Sequence, residues 1–291
     1  MILLTTSEAA DYLRLGERKL YELIAKECIP CSKVAGKWLF PQHELDRWVL
    51  SGLVQPAGMT SLEPPPIVGG SQDDMLEWSL RQSGSGLATL AEGTESGVAR
   101  LLRGEVAAAA IHFHGTVADA NVDAVAAMPR LNDAVLVGFV RREQGLLLEP
   151  GNPKSLNSLD DVLTSSARMA VRQRGAGADM LLAQLLAGIG AKHSDLNRLE
   201  PPCLTGHDLA SAVRSGQADC GIATRAAARA AGLEFLPLLW ENFDLLMRQR
   251  TYFQPSFQAL LAFLPHQVFA ERAAALTGYD TSPAGRIRFF R

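Results

Sequence analysis

The chain has no run of about 18 or more uncharged apolar residues, so no membrane span is expected. Its start, MILLTTSEAADYL, lacks a basic lead-in, a long apolar stretch and a small-residue cleavage site. A secretory leader is therefore not expected, and the reading is of a cytoplasmic protein. Cysteine is scarce: Cys28, Cys31, Cys203 and Cys220 are the four in 291 residues. They are too few and too scattered for a disulfide framework at this size, and they fit a reducing compartment. Neither sign of charge dominates, with 28 Lys and Arg against 31 Asp and Glu, a net charge of -3. That excludes a general polycation but not a local nucleic-acid surface, which takes only a patch. There is no Gly-x-Ser-x-Gly, no catalytic-cysteine signature and no complete set of metal ligands. We therefore expect no catalytic residue, no resident metal or cofactor, and no enzyme.

What is present divides into two parts. Residues 53–66 read LVQPAGMTSLEPPP. The consecutive Pro64, Pro65 and Pro66 donate no backbone hydrogen bonds and stiffen the chain. Short helical patterns precede them, and β-like apolar runs alternating with helical patterns follow. The expectation is a small domain at 1–50, a linker at 51–65 and a large α/β domain at 66–291.

In the small domain, Thr5-x-x-Glu8 has the form of a capping box opening a helix that runs to about Leu13. RLG makes a turn, and a second helix follows at about Glu17–Lys26. Its Leu20, Leu23 and Ile24 share one face, leaving Arg18, Lys19, Glu22 and Lys26 outside the apolar stripe. Two short helices at a tight turn suggest a helix-turn-helix. CSKVAGKWLFP then reads as a hairpin turning at Ala35-Gly36-Lys37. PQHELDRWVL reads as a third helix with Pro41 in its first turn.

Residues 3–49 closely resemble the excisionase-type winged helix-turn-helix, related to the mercury-resistance-regulator domains. The Thr-x-x-Glu-Ala-Ala start, the Arg-Lys-Leu-Tyr helix, the Ile-Pro before the wing and the Gly-Lys-Trp hairpin carry the match. The resemblance implies that the helix from Glu17 enters the major groove of a double-stranded operator while the wing touches phosphate. Arg18, Lys19, Tyr21, Lys33 and Lys37 are the residues it nominates for DNA. The chain departs from the family at Leu39, where a basic residue is common. Residues 1–50 also carry seven basic and seven acidic side chains. A monomer should therefore bind weakly, and a homodimer adding two half-sites is expected.

The Cys28-x-x-Cys31 spacing allows a redox or metal role. However, a redox pair of this spacing usually opens a helix, where the dipole lowers the thiol pKa. Here Cys28 follows one. Of the further ligands a zinc site would need, only His43 is near in sequence. Incidental cysteines and a thiol sensor both remain open.

The large domain repeats one pattern. Strands end at loops of small polar residues that open helices, where first-turn N–H groups are unpaired. Ser71 lies at the first such junction, and Thr94, Glu95, Ser96 and Gly97 at the second. His112 follows the apolar VAAAAI, Gly175-Ala176-Gly177 opens a helix after a third strand, and Thr224-Arg225 leaves a fourth. In a parallel sheet these positions cluster beyond the carboxyl ends of the strands. The sequence GLATL…GTESGVARLLRGEVAAAAIH, with GNPKSLNSLDDV, VRQRGAGADMLL, GHDLASAVRSGQADCGI and TGYDTSPAGRI, resembles a type-2 periplasmic-binding-protein domain. It resembles the cytoplasmic version fused to DNA-binding domains, and looks like the molybdate-binding-like domains also found attached to molybdopterin-synthesis proteins.

That resemblance implies two lobes, one of about 66–142 plus 242–291 and one of about 143–241, which close on a small-molecule effector. It nominates Ser71, Thr94, Glu95, Ser96, His112, Arg172, Arg174, Gly175, Ala176, Gly177, His207, Thr224 and Arg225 as ligand-binding. The family's usual Gly-Ser-Gly-Thr-Arg loop is here Gly175-Ala176-Gly177-Ala178-Asp179, with two hydroxyls lost and an acid in place of a base. Molybdate or tungstate and a small organic acid are thus both open as effectors. His112 and His114 would share a face if their segment were strand, either as half of a metal site or as hydrogen-bonded cleft residues. His207 and Asp208 read as an acid–base pair or as helix caps. The expected function is a ligand-responsive transcriptional regulator; the alternatives are an enzyme using the cleft and a thiol sensor.

Overall fold

The computed structural model describes residues 2–51, 63–114, 119–128 and 131–291. Most of the expected linker, residues 52–62, lies outside them. The chain divides into two compact units, Met1–Leu62 and Glu63–Arg291.

The first unit contains β1 (Leu3–Leu4), α1 (Thr6–Leu13), α2 (Glu17–Ala25), β2 (Ser32–Val34), β3 (Lys37–Pro41) and α3 (Gln42–Ser51). Thr5 caps α1 and Glu8 returns the bond to the Thr5 backbone, closing the capping box. β2 and β3 form an antiparallel hairpin. Ala35 and Gly36 both turn through positive φ, 49° and 79°, as a two-residue hairpin turn requires, and glycine takes that conformation without penalty. β1 adds a third strand to β3, which had no periodic signal because it is two residues long. Pro41 ends β3 rather than entering the first turn of α3. Ala9, Ala10, Leu20, Ile29, Phe40 and Leu45 form the core. Together they are a helix-turn-helix with a wing.

The second unit is α/β. Its elements are β4 (Ile67–Gly70), α4 (Asp74–Gln82), β5 (Ala88–Ala91), α5 (Thr94–Arg103), β6 (Ala108–Ile111), α6 (Ala120–Ala126), β7 (Ala134–Leu148), α7 (Leu159–Thr164), β8 (Arg168–Ala170), α8 (Gly177–Gly188), β9 (Asn197–Arg198), α9 (Gly206–Arg214), β10 (Cys220–Thr224), α10 (Arg225–Ala231), β11 (Glu234–Arg248), α11 (Gln249–Tyr252), α12 (Pro255–Phe263), α13 (Gln267–Leu276), β12 (Tyr279–Asp280) and β13 (Ile287–Phe290). One sheet runs in the order β5-β4-β6-β11-β7-β10-β8-β9, with β12 and β13 also on β7. β4, β5 and β6 are parallel, as are β8, β9 and β10. The two 15-residue strands β7 and β11 pair antiparallel along their length and join the two sets.

Alternate residues of β7 point to opposite faces. Val135, Val137 and Phe139 enter one core, and Ala134 and Leu136 the other. Further along, Leu146 and Leu148 enter a third core, and Leu147 a fourth. A strand covered on both faces reads as a continuous apolar run, and β7 does so except at Arg141-Arg142-Glu143-Gln144. That polar stretch and its partners on β11, Leu239 to Asn242, lie where the paired cores part. The result is two lobes sharing two strands. Among the described residues no helix is long and apolar enough to cross a membrane.

Candidate functional site

The cleft between the lobes is built from strand ends. Ser71 follows β4, Gly93 follows β5, His112 follows β6, Arg172 lies just past β8, and Thr224 ends β10. All five line one cavity of about 50 Å³, the room of roughly three to five waters. Gln72, Asp73, Arg142, Gln144, Ala176, Gly177, His207 and Tyr279 are among the other lining residues. The geometry thus brings together Ser71, His112, Arg172, Ala176, Gly177, His207 and Thr224 of the sequence-nominated residues. Thr94 is buried just behind, its Oγ1 2.8 Å from Ser71 Oγ and accepting from the His112 backbone N–H.

Glu95, Ser96, Arg174, Gly175 and Arg225 do not line the cavity. Glu95, Ser96 and Arg174 are exposed. Arg225 donates to Glu143 and lies over the Phe235 ring. The strand β6 stops at Ile111, so His112 and His114 are not on strand. Ser71 stands ahead of the helix start rather than at it. Asp73 is the N-cap of α4, accepting from the Leu76 N–H, so this helix end is already occupied by a carboxylate. Asp208, the third residue of α9, closes a capping box opened by Thr205, while His207 lines the cleft.

Sequence reasoning missed the charged floor. Arg142 is buried and held by Asp73, by the Gln72 carbonyl at 3.1 Å and by Glu241. Glu241 is buried too; its Oε1 also accepts from Gln144 Nε2 at 2.8 Å, and its Oε2 lies 2.9 Å from His112 Nδ1. Tyr279 donates to Asp73 at 2.9 Å. Burial raises the Asp73 carboxyl above its ordinary range against the pull of Arg142. Burial works against charge on Glu241 as well, but Arg142 and His112 hold it well below the usual carboxylate range. Burial lowers His112 to about 4 and outweighs Glu241, so the ring is neutral at pH 7. The available signal was the charged RREQ inside an otherwise apolar strand.

Arg172 differs from Arg142. It donates to the carbonyls of Cys203 and Leu204 at 3.2 and 2.7 Å and to Gln173. Among the described residues no carboxylate lies within ion-pair distance of it. Burial first, and Arg142 second, push its pKa down to about 10. Arg172 is half-buried, faces the cavity and feels Asp208 only from beyond ion-pair distance, which favours an anion there. Ala176, Gly177 and Ala178 line the same cavity at the start of α8, which has no side-chain cap. Such first-turn N–H groups lack intrahelical partners and add to the attraction.

The lobes touch across the cleft. Gln72 Nε2 lies 3.3 Å from His207 Nδ1, and His207 Nε2 lies 3.5 Å from Asp74. The hydrogen bond with Asp74 raises His207 above its ordinary pKa, with Glu77 and Asp208 adding. The raised value favours the protonated ring in the closed arrangement. That contribution is complete below the ordinary histidine pKa and is lost as pH rises through the raised one. Lobe closure, followed by fluorescence transfer between labels on the two lobes, should therefore weaken as pH rises above the ordinary histidine range of about 6.5. His207→Gln should flatten that dependence; an unchanged profile would remove the latch.

In the first unit the nominated DNA residues are all exposed. The Arg18 side chain is 95 % accessible and Tyr21 50 %. Arg18 and Lys19 make only surface pairs with Glu22, at 3.6 and 3.3 Å. Lys33 sits 5.3 Å over the Trp38 ring on the wing, and Lys37 follows the hairpin turn. Cys28 is exposed and Cys31 half-buried, both as free thiols. Burial raises the Cys31 thiol, the opposite of an activated thiolate.

A two-lobed α/β sheet joined by two long strands, with the ligand cavity between lobes, defines a binding-protein class of fold. The sequence comparisons agree. Residues 77–265, more than half of the chain, match the family described as a PBP superfamily domain, and the chain belongs to that family. Residues 3–52 match a helix-turn-helix domain. Both are regulator or binding types rather than enzymatic families. The chain is 22 % identical over 299 residues to the uncharacterized protein YvgK of Bacillus subtilis, covering 97 % of this chain and 96 % of that one. It is 25 % identical over 109 residues to an uncharacterized protein of Clostridium pasteurianum, 37 % of this chain and 96 % of that one. Among solved structures, a Corynebacterium glutamicum OxyR mutant with H2O2 bound has a TM-score of 0.51 at 12 % identity, over 94 % of this chain and 89 % of that one. A glycosylated PEB3 variant has a TM-score of 0.51 at 13 % identity, over 74 % and 99 %. At these identities the likeness is one of fold.

Proposed function

We propose that this chain is a ligand-responsive DNA-binding regulator whose effector is a small anion held between the lobes. The observation that carries the reading is the pairing, in one chain, of a winged helix-turn-helix that exposes Arg18, Lys19, Lys33 and Lys37 with a cavity between two lobes. Arg172 and the uncapped α8 start supply the anion site, and the hydroxyls of Ser71 and Thr224 stand beside it. Arg142 is already neutralised by Asp73 and Glu241, so it shapes the floor instead of binding the effector. The small cavity favours an oxyanion such as molybdate or tungstate, or a compact carboxylate. The near-neutral first unit favours a homodimer on two half-sites. An effector changes operator affinity only by binding one lobe arrangement better than the other.

Selection of bound fragments from a randomised duplex pool, followed by anisotropy titration, tests the DNA half. An enriched motif should emerge, Arg18→Ala should weaken binding to it, and Lys37→Ala should reduce the salt slope by about one. No enrichment, or unchanged affinity in both variants, overturns it. Thermal unfolding against molybdate, tungstate, sulfate, phosphate and small carboxylates tests the cleft. A ligand at about 100 times its Kd adds roughly 2.7 kcal/mol, and that shift should disappear in Arg172→Met.

A further inference from the structure

Three side chains beneath the cleft converge on one point. His112, His114 and Glu241 each place a donor atom within 4.8 Å of the others. His112 Nδ1 and His114 Nε2 each lie 2.9 Å from the same atom, Glu241 Oε2. All three side chains are at most 5 % exposed. The other carboxylate oxygen is engaged by Arg142 and Gln144, so the carboxylate is oriented and Oε2 is left to the imidazoles.

The His114 contact is informative because it is close but out of line. Its Nε2 is buried and makes no hydrogen bond of acceptable angle, although the oxygen is only 2.9 Å away. A polar nitrogen so placed is costly unless it has a partner. Donors bound tetrahedrally to one ion at about 2.0–2.2 Å stand roughly 3.3–3.6 Å from one another and point at the ion, not at each other. His114 Nε2 is placed in this way, whereas His112 Nδ1 hydrogen-bonds Glu241 Oε2 and would exchange that bond for the ion. The rings are perpendicular, 87° apart, with centroids 5.6 Å apart, so the two nitrogens approach from different directions.

We infer that His112, His114 and Glu241 bind a divalent late transition metal, with zinc as the best match to two imidazoles and one carboxylate. Three protein ligands is the count of an open zinc site, whose remaining position goes to water or to an anion. The ligand type excludes magnesium and calcium, which take all-oxygen sites. The outer contacts have the form such sites use: Arg142 and Gln144 hold the carboxylate, and the His112 backbone is tied to Thr94. This inference stands independently of DNA binding.

The test uses the full chain, stripped with a chelator and dialysed free of it. Zinc content is measured after equilibration, and cobalt(II) titration is followed by visible d–d absorption. The wild type should bind one ion per chain. His114→Ala and His114→Asn should each weaken binding more than about tenfold, the least that loss of a supporting contact costs such sites. Thermal melts of the two variants show which is folded, and the folded one is scored. The triple variant Cys28→Ser, Cys31→Ser, His43→Ala should retain the ion. No stoichiometric ion in the wild type, equal affinity in a folded His114 variant, or loss in the triple variant would each overturn the assignment.

Discussion

Arg142→Met should destabilise the second unit by about 3–5 kcal/mol, the cost of stranding buried charge. Two buried carboxylates, Asp73 and Glu241, converge on this one guanidinium, which also lies 4.2 Å over the Phe243 ring. Methionine retains much of the packing but cancels neither charge. Urea denaturation of the full chain measures the loss. The pH dependence carries a sign of its own. Asp73 already sits above the ordinary carboxylate range, and loss of the cation raises it further. A group whose pKa is raised in the folded state is penalised where it must be ionised, so the deficit should shrink as pH falls from about 7 towards 5. A loss below about 1 kcal/mol would show that the polar hinge does not depend on this network.

Gly177→Ala should separate closure from folding. A Cβ at Gly177 would lie 1.8 Å from His112 Cε1, far inside contact distance, and the imidazole is held in place by Glu241. Gly177 is on one lobe and His112 on the other, so the clash exists only when the lobes meet. The open form carries no penalty, and alanine in a helix costs less than glycine. Thermal stability without ligand should therefore be unchanged or slightly higher. Anion affinity by calorimetry should fall about 5- to 150-fold, equivalent to overpacking by about 1–3 kcal/mol. Equal affinity would mean that this approach of the lobes is not part of ligand capture.

The first unit was legible because its signals are local. The Thr5–Glu8 box, the Ala35-Gly36 turn and the Leu20 stripe each act within a few residues, and each formed as written. Only the two-residue β1 and the assignment of Pro41 to strand needed the fold. In the second unit the strand-to-helix junctions were legible for the same reason, and they carried Ser71, His112, Arg172, Gly177 and Thr224 to one cavity. Glu95, Ser96 and Arg174 looked equally suitable, but side-chain direction at a loop depends on what packs against it.

By itself, the sequence determined the helix-turn-helix with its wing, the alternation of strands and helices, and the polar loops that open those helices. Short-range capping, turn geometry and apolar periodicity are enough for that. Only the tertiary structure decided what lies under the cleft. Arg142 and Glu241 are 99 positions apart, and His112 and Glu241 are 129. They meet because β7 and β11 pair along their length, with two register shifts that flank the polar stretch. A register is fixed by the cores on both faces of the sheet, which no window of sequence contains. The charged floor and the three-ligand cluster therefore come from long-range pairing alone.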